Sequence, residues 1–544
     1  MSNHEKEIAF LQQADFERYV IEKLGAETWF VAHQSEQTEQ TSHILFSALI
    51  PNREIERAMK TTDWDLHTHD TMPVWWSSMR EGVADRYSRL ASDRGVEPLV
   101  ICRNFHGLKP SYREVCEEFR LYHNLYHDRA NKRYIAHDDG GNEEDIIRYD
   151  DWLIKIKTHA LLRYAADKQC HLATFFESFR YSEFTLAELN LKSDRRQIQS
   201  GLIVYDFLLD EPQMMLDEKK KSRSCIWGKK LIAPPKPTNR ERIAKVPYQD
   251  FIIGQKPDGN PVLHTCDPEQ LANYFGKNPS APHYLTPVHF RSEVLQKYFG
   301  DPEKYSVEDG YLRCGSLWGL RLDNNHKGYL TVFLGDLGRD LTNAERDYWK
   351  SFNIAPEGPG ISEVNWKRGF MAEFADPTQP SLRFKELFSY FQREHREQQG
   401  WTFFKDLADE DRHFFDALRA PLTRGPAEFD SQVLALTKVI IDSINEEEIE
   451  KRITNLAEGD KGIAKLEKFL QPKNLASYEA HIQFLKNLQK LRSTGVAHRK
   501  GENFKKVAVA FGLDKNDRIK VFEEILQKSA EFMEFLIAGF LIKE

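Results

Sequence analysis

The chain has 544 residues, of which 40% are hydrophobic, 12% aromatic and 29% charged, and its formal net charge is -8. This length predicts about three domains, and the hydrophobic share excludes a disordered chain. No stretch approaches the ~20 apolar residues that span a bilayer, and the start of the chain carries charges where a signal peptide needs an apolar run. We therefore expect a folded cytoplasmic protein without a membrane partner.

The first 235 residues have the mixed pattern of an α+β domain. Apolar residues at three and four spacing predict helices over Glu5–Leu24, Tyr112–Arg129 and Ala160–Phe179. Short apolar runs predict strands at Trp152–Lys157 and Leu202–Leu209. The six cysteines have no CxxC spacing, which argues against a zinc ribbon and a disulfide framework. We expect neither a metal nor another cofactor.

A basic segment follows the last of these strands. Between Lys219 and Lys245 there are ten Lys or Arg residues and one acid, Glu241. Such a run is most often a solvated face, and its PPKP sequence at 234–237 predicts an exposed, extended connection. Whether this segment binds nucleic acid is left open.

Residues 236–380 form a second predicted α+β domain, built on paired strands. The runs QDFIIGQ and PVLHT flank a Pro-Asp-Gly-Asn turn at 257–260, which is typical of a hairpin. The runs SLWGLRL and YLTVFLG, at 316–322 and 329–335, predict a second pair. Thr342 and Glu345 have the spacing of a capping box at the start of a helix.

Residues 381–544 have the pattern of an all-α bundle. Apolar residues recur at helical spacing in six segments, namely Phe384–Arg396, Phe403–Leu418, Phe429–Ile444, Ile463–Leu470, Ala476–Leu491 and Asp517–Ile542. The apolar run EFMEFLIAGFLI at 531–542 predicts a surface buried against another copy of the chain.

One arginine and one histidine in this bundle suggest chemistry. Ile482, Leu485, Leu488 and Leu491 form a buried stripe that leaves Lys490 and Arg492 off the core face. The chain then reads Arg492-Ser-Thr-Gly-Val-Ala-His498-Arg499-Lys500. The window from Lys486 to Lys506 holds seven Lys or Arg residues and one acid, Glu502.

This arrangement resembles the R-x(4-6)-H signature of HEPN-domain ribonucleases. Arg492 matches the arginine of the motif, Ser493 its polar follower and His498 its histidine, although the follower is often Asn in the family. The resemblance covers roughly Glu428–Glu544. It implies a HEPN-like helical fold, a metal-independent endoribonuclease with Arg492 and His498 as the catalytic pair, and a homodimer or paired domains whose motifs face a shared cleft.

The two residue types suit RNA cleavage by the 2′-OH. An imidazole can transfer protons near neutral pH, and a guanidinium can stabilise the charge that develops on the phosphorane. Lys490, Ser493, Arg499 and Lys500 are the candidate RNA-binding residues. In the competing interpretation Arg492 caps its helix and His498 only packs.

Two other histidine patterns indicate metal chemistry less well. Asp65-Leu-His67-Thr-His69-Asp70 resembles the first motif of PHP-type phosphoesterases, but a charged, helical stretch precedes it instead of an apolar strand. His123 and His127 are four residues apart in a predicted helix, a spacing that can place two imidazoles on one metal. We interpret the first as a surface turn or strand and the second as two polar-face histidines.

The sequence therefore predicts an RNA-cleaving C-terminal effector under the control of an N-terminal sensor. By analogy with the family, such a protein would be a toxin or an antiphage-defence factor, with RNA as substrate and a regulatory protein or phage component as trigger. One alternative is a non-catalytic HEPN-like module for nucleotide binding or assembly. A more distant alternative is a metal-dependent phosphoesterase.

Overall fold

The computed structural model describes residues 3–77, 85–212, 219–235, 247–356, 358, 360–457, 459–473, 475–495 and 501–541. The chain divides into two compact units, Met1–Asp138 with Asn142–Lys245, and Asp139–Gly141 with Val246–Glu544. A mainly antiparallel β region comes first and helices follow in the C-terminal part. A boundary at residue 380 inside the second unit stays a prediction.

The first unit is built on one antiparallel sheet with eleven described strands. Glu97–Pro98 pairs with Thr41–Pro51 at the side of the main path. The main path runs Asp194–Ser200, Ile203–Asp210, Ser222–Ile232, Cys170–Ser182, Thr41–Pro51, Trp29–Gln37, Leu153–Lys157, Glu143–Tyr149, Arg133–His137 and Tyr126–Asp128. Two small hairpins join Val74–Trp76 to Arg86–Ser88 and Val100–Arg103 to Tyr112–Val115.

Both faces of the central strand Cys170–Ser182 are buried, since successive side chains pack in two different cores. Phe175 packs in the core that the Thr158–Asp167 helix covers, and Phe176 packs in the core that the N-terminal helices cover. These N-terminal helices are Asn3–Gln12 and Ala14–Arg18, followed by the π-helix Tyr19–Lys23. Further short helices are Ile55–Ala58 and Glu117–Tyr122.

The burial of both faces explains why one helix prediction is wrong. Ala160–Phe179 was expected as a single helix, but the helix ends at Asp167 and the strand Cys170–Ser182 follows. A strand buried on both sides is apolar almost continuously, so its sequence loses the period of two that identifies a half-buried strand.

Two other predicted helices of this unit are interrupted by residues with positive φ. Gln13, at φ 53°, breaks the helix expected over Glu5–Leu24. In the segment Tyr112–Arg129 only Glu117–Tyr122 is helical, and Asn124, at φ 49°, turns the chain into the next strand. The predicted strands at 152–157 and 202–209 are confirmed as Leu153–Lys157 and Ile203–Asp210.

The predicted exposed connection at 219–245 is wrong for its first half. Ser222–Ile232 is an inner strand of the sheet, paired on both sides. Lys229 is 1% exposed, and its Nζ lies 2.7 Å from the Asp65 carboxylate. Lys230 donates to the main-chain oxygens of Val20 and Ile21. These two cations are engaged inside the fold, and residues 236–246 lie outside the described residues.

The first part of the second unit contains three small sheets. The hairpin predicted around residues 257–260 is confirmed as Asp250–Gln255 with Pro261–Thr265. The second sheet has the strand order Tyr329–Phe333, Pro287–Arg291, Asn353–Ile354. The third sheet has the strand order Tyr305–Glu308, Tyr311–Cys314, Trp318–Arg321. The helices here are Gln296–Phe299, Leu334–Asp340, Asn343–Lys350 and Glu363–Trp366, the last continued by the π-helix Lys367–Met371.

The second predicted hairpin of this region is wrong. Trp318–Arg321 pairs with Tyr311–Cys314, and Tyr329–Phe333 pairs with Pro287–Arg291. A single bridge between Asp323 and Thr331 links the two strands that were expected to pair. The predicted cap is confirmed, since the Thr342 hydroxyl accepts a hydrogen bond from the main-chain N–H of Glu345.

Helices form the C-terminal part and share one large core of buried side chains. They are Pro380–Gln399, Arg412–Asp416, Pro426–Thr437 with the π-helix Lys438–Asp442, Glu446–Glu450, Ile463–Leu470, Tyr478–Gly495, Glu502–Ala510 and Arg518–Phe540. Five of the six predicted helices are confirmed. Of Phe403–Leu418 only Arg412–Asp416 is α-helical, because the backbone of Phe403 and Lys405 bonds to residues 443 and 445.

The apolar run at 531–541 packs into the core of its own chain. Phe532, Met533 and Leu536 are fully buried, and the other large apolar side chains of the run pack partly buried against the same core. Phe535, Ile537, Phe540 and Leu541 are only partly buried, so the burial of part of this run against another copy of the chain stays a prediction. Among the helices of the described residues, none has both the length and the apolar character needed to cross a bilayer.

Candidate functional site

The predicted catalytic arginine lies in the last turn of the Tyr478–Gly495 helix. The predicted apolar stripe is confirmed, since Leu485, Leu488 and Leu491 are at most 1% exposed. Because this stripe faces the core, the side chain of Arg492 extends along the surface, where 28% of it is exposed. The guanidinium is therefore within reach of a molecule in solvent.

An aspartate from another helix holds this guanidinium at one nitrogen. Arg492 Nη1 lies 2.7 Å from each carboxylate oxygen of Asp442. Asp442 ends the π-helix Lys438–Asp442, a kind of distortion that is frequent at functional sites. Within the described ranges no hydrogen bond reaches Nε or Nη2 of Arg492. The ion pair thus orients the guanidinium and leaves donors free.

The acids around the basic cluster come mainly from other helices. Lys486 pairs with Glu467 at 2.7 Å and Lys505 with Glu502 at 2.9 Å. Glu467 and Asp442 lie outside the sequence window in which only one acid was counted. The cluster is therefore less positive in the fold than in the sequence. In the part of the chain that the structure describes, the exposed Lys490 and Lys506 form no ion pair.

The predicted RNA-binding residues are only partly described. Lys490 is exposed, one residue before the buried Leu491. Ser493 is also exposed, and its hydroxyl donates to the main-chain oxygen of Lys490 at 3.1 Å. His498, Arg499 and Lys500 lie outside the described residues. Lys490, Arg492 and Ser493 thus lie in the last turns of one helix, with Lys490 and Arg492 on opposite sides of the buried Leu491.

A close contact between helices follows the motif arginine. A Cβ on Gly495 would lie 3.0 Å from Cε2 of Phe504, which belongs to the Glu502–Ala510 helix. Real Cβ atoms rarely approach another atom so closely, so glycine permits the two helices to meet here. The glycine of the motif therefore has a packing role in addition to its place between Arg492 and His498.

The Asp-Leu-His-Thr-His-Asp segment has a structural role in the first unit. Asp65 is buried, and its carboxylate oxygens lie 2.7 Å from Arg57 Nη2 and 2.7 Å from Lys229 Nζ. The His67 ring stacks between Trp64 and His69, and burial lowers its pKa. The aspartate that would ligate a metal is thus already neutralised by two cations.

The second pair of histidines does not share one helix face. The helix ends at Tyr122, and the positive φ of Asn124 separates the two rings. His123 Nε2 bonds the main-chain oxygen of Ala160 at 3.0 Å, and His127 Nε2 bonds the Tyr149 hydroxyl at 2.8 Å. Within the described ranges, no group of three or more His, Cys, Asp or Glu side chains is placed to hold a metal ion.

Two residues of this site were missed from the sequence, Asp442 and Glu467. Their places in the chain are 50 and 19 residues before their basic partners. Asp442 directly follows the apolar residues Val439, Ile440 and Ile441. An acid at the end of an apolar segment could therefore have been noticed in the sequence. Nothing in the sequence alone connects it with Arg492.

Comparisons with known proteins give no relative. No protein-family model, no curated protein and no solved structure matches this chain.

Proposed function

We propose that the chain is a metal-independent endoribonuclease with Arg492 and His498 as its catalytic pair. The observation that carries the proposal concerns Arg492: Asp442 anchors its guanidinium at one nitrogen, the side chain is partly exposed, and its other nitrogens form no hydrogen bond with the described residues. A guanidinium in this state can bind a phosphate through two parallel hydrogen bonds. The C-terminal helices would then be a HEPN-like effector.

The proposed reaction uses the substrate's own 2′-hydroxyl as nucleophile. The imidazole of His498 removes the 2′-OH proton and the oxygen attacks phosphorus. The bond from phosphorus to the 5′-oxygen of the next nucleotide breaks, and this oxygen takes up a proton from the imidazolium or from water. Arg492 stabilises the additional negative charge on the phosphorane. Lys490, Ser493, Arg499 and Lys500 contact the RNA backbone. The products are a 2′,3′-cyclic phosphate and a 5′-hydroxyl.

The biological setting that we propose follows from the resemblance and not from geometry. The effector would act in the cytoplasm as a homodimer, as a toxin or antiphage-defence factor whose N-terminal region responds to a regulatory protein or phage trigger. The partly buried apolar side chains of the run at 531–541 are the part of that run that a second copy would cover.

A second candidate function is a non-catalytic assembly or nucleotide-binding module. It is favoured by the ion pair itself, because a link from Arg492 to Asp442 ties two helices together without any reaction. In that case the free donors of Arg492 would be solvated and His498 would have no part in proton transfer.

The experiment that separates these functions is cleavage of single-stranded RNA by the purified full chain in excess EDTA. We expect cleavage, with products that end in a 2′,3′-cyclic phosphate or its hydrolysed 3′-phosphate. Activity that appears only with added Mn²⁺ or Zn²⁺ would contradict the proposal and favour a metal-dependent phosphoesterase. No cleavage under any condition would favour the assembly module.

A further inference from the structure

A cavity of about 550 Å³ lies in the second unit, away from Arg492, and belongs to the size range of small-molecule sites. Its walls come from the ends of Trp318–Arg321 and Tyr329–Phe333, the Leu334–Asp340 helix and the π-helix Lys367–Met371. The lining residues used below are Tyr284, Arg321, Asp336, Asn365 and Phe370.

Most charges in this cavity are paired inside the protein. Arg339 contacts Asp336 at 2.9 Å and Asp340 at 2.6 Å, and Arg368 contacts Asp309 at 2.5 Å. Arg321 differs from these two arginines. It is exposed, and its guanidinium has no ion pair or hydrogen bond among the described residues. One cation thus remains available to an anionic ligand.

A buried carboxylate in the same cavity has one free oxygen. The side chain of Asp336 is 6% exposed. The Tyr284 hydroxyl donates a hydrogen bond to its Oδ1 at 2.9 Å, and Arg339 forms an ion pair with the same oxygen at 2.9 Å. Its Oδ2 accepts no hydrogen bond from the residues that the structure describes. Burial raises the pKa of this carboxyl group, and the positive charge of Arg321 acts in the opposite direction. The carboxylate can therefore accept a hydrogen bond from an amine or ring N–H of a ligand.

An aromatic surface completes the cavity. Phe370 is 42% exposed and stacks on Trp366, with ring centroids 5.0 Å apart. Phe370 also meets Phe333 edge to face. The amide of Asn365 lies on the same short helix as Trp366 and can offer a donor and an acceptor. A planar heteroaromatic ring can stack on Phe370 while its edge bonds these polar groups.

We propose that this cavity binds a nucleoside monophosphate, with its phosphate on Arg321, its base stacked on Phe370 and the base edge bonded by Asp336 and Asn365. A single available cation fits a single phosphate. Each further phosphate would bring negative charge near three lining aspartates, so the diphosphate and triphosphate bind more weakly. This inference does not depend on the ribonuclease proposal.

The test is calorimetric titration of the full chain with AMP and GMP, compared with adenosine, guanosine, ATP, GTP and inorganic phosphate. We expect saturable binding of at least one monophosphate, with weaker binding of its nucleoside and of its triphosphate. Loss of a charge-assisted bond in Arg321→Ala should weaken the monophosphate about 10- to 100-fold and leave the nucleoside unchanged. Phe370→Ala should weaken the binding of both the monophosphate and the nucleoside.

Arg313→Ala is the matched control, because Arg313 is an exposed arginine of the neighbouring strand that does not line the cavity. We expect it to bind as the unsubstituted chain does. His498→Ala should also bind normally, so failure of the ribonuclease proposal leaves this one intact. The inference is overturned if no monophosphate saturates at millimolar concentration, if inorganic phosphate binds equally well, or if Arg313→Ala and Arg321→Ala weaken binding alike.

Discussion

His33 is a buried histidine whose ring has no hydrogen-bond partner among the described residues, and its titration should affect how the first unit responds to acid. It lies in the Trp29–Gln37 strand, is 1% exposed, and neither ring nitrogen bonds any described residue. Burial, and to a smaller extent the positive charge of Arg113, lower its pKa from 6.5 to about 4. At 1.36 kcal/mol for each pKa unit, this fall corresponds to about 3 kcal/mol.

The sign follows from proton binding in the two states. Between pH 4 and 6.5 the unfolded chain binds more protons at this residue than the folded chain does. Stability therefore rises with pH across this window and is lost as the pH falls from 6.5 to 4. The variant His33→Leu places an apolar side chain of similar size at this position. When the pH falls from 6.5 to 4, its unfolding free energy should decrease by about 3 kcal/mol less than that of the unsubstituted chain.

The assay is urea unfolding at a series of pH values, read by pulsed hydrogen exchange in peptides from the large sheet. His137→Leu, at the exposed end of another strand, controls for the loss of a histidine from this sheet. We expect the stability of His137→Leu to depend on pH in the same way as that of the unsubstituted chain. Identical profiles for His33→Leu and the unsubstituted chain would refute the account of His33 as a neutral, desolvated ring.

Two further predictions concern stability. Lys229→Ala leaves the buried Asp65 with Arg57 as its remaining cation, so the unfolding free energy should fall by about 3–5 kcal/mol in denaturant titrations. Adding Asp65→Asn should recover part of that loss, and no recovery would mean that the pair is not coupled. Thr342→Ala removes the cap on the N–H of Glu345 and should cost about 1 kcal/mol, whereas Thr342→Ser should cost less. Equal losses in these two variants would show that the hydroxyl does not cap the helix.

The sequence predicted the helical C-terminal part well because its period is local. The stripe from Ile482 to Leu491 and the helix after Asp517 follow from side-chain spacing. The segments that failed depend on distant partners. The main-chain oxygen of Phe403 accepts a hydrogen bond from the main-chain N–H of Asn445. Cys170–Ser182 is a strand because it pairs with a neighbouring strand along each of its two edges.

The same distinction holds for the candidate sites. Arg492 and Ser493 could be predicted as site residues from a short motif. Asp442 contacts Arg492 only because two helices pack together, which the motif does not indicate. Lys229 belonged to a basic run in the sequence and is a buried ion-pair partner in the fold. The cavity at Arg321 was not predicted, because its lining comes from segments between residues 284 and 370 that share no local pattern.

The most direct test of the ribonuclease account is the single-turnover rate of RNA cleavage in EDTA, measured beside thermal melting for Arg492→Ala, His498→Ala and Arg396→Ala. Arg396 is the matched control, since it forms a similar exposed pair with Asp406 at 2.7 Å in the same group of helices. The Arg492–Asp442 pair is partly exposed and contributes at most about 1 kcal/mol to stability. Melting should therefore change by only a few degrees in Arg492→Ala and Arg396→Ala.

The account predicts that the rate falls about 10² to 10⁴-fold in His498→Ala and about 10² to 10³-fold in Arg492→Ala, while Arg396→Ala keeps the full rate. It is contradicted if Arg492→Ala and His498→Ala cleave RNA as fast as the unsubstituted chain, or if their loss of rate merely follows a loss of melting temperature.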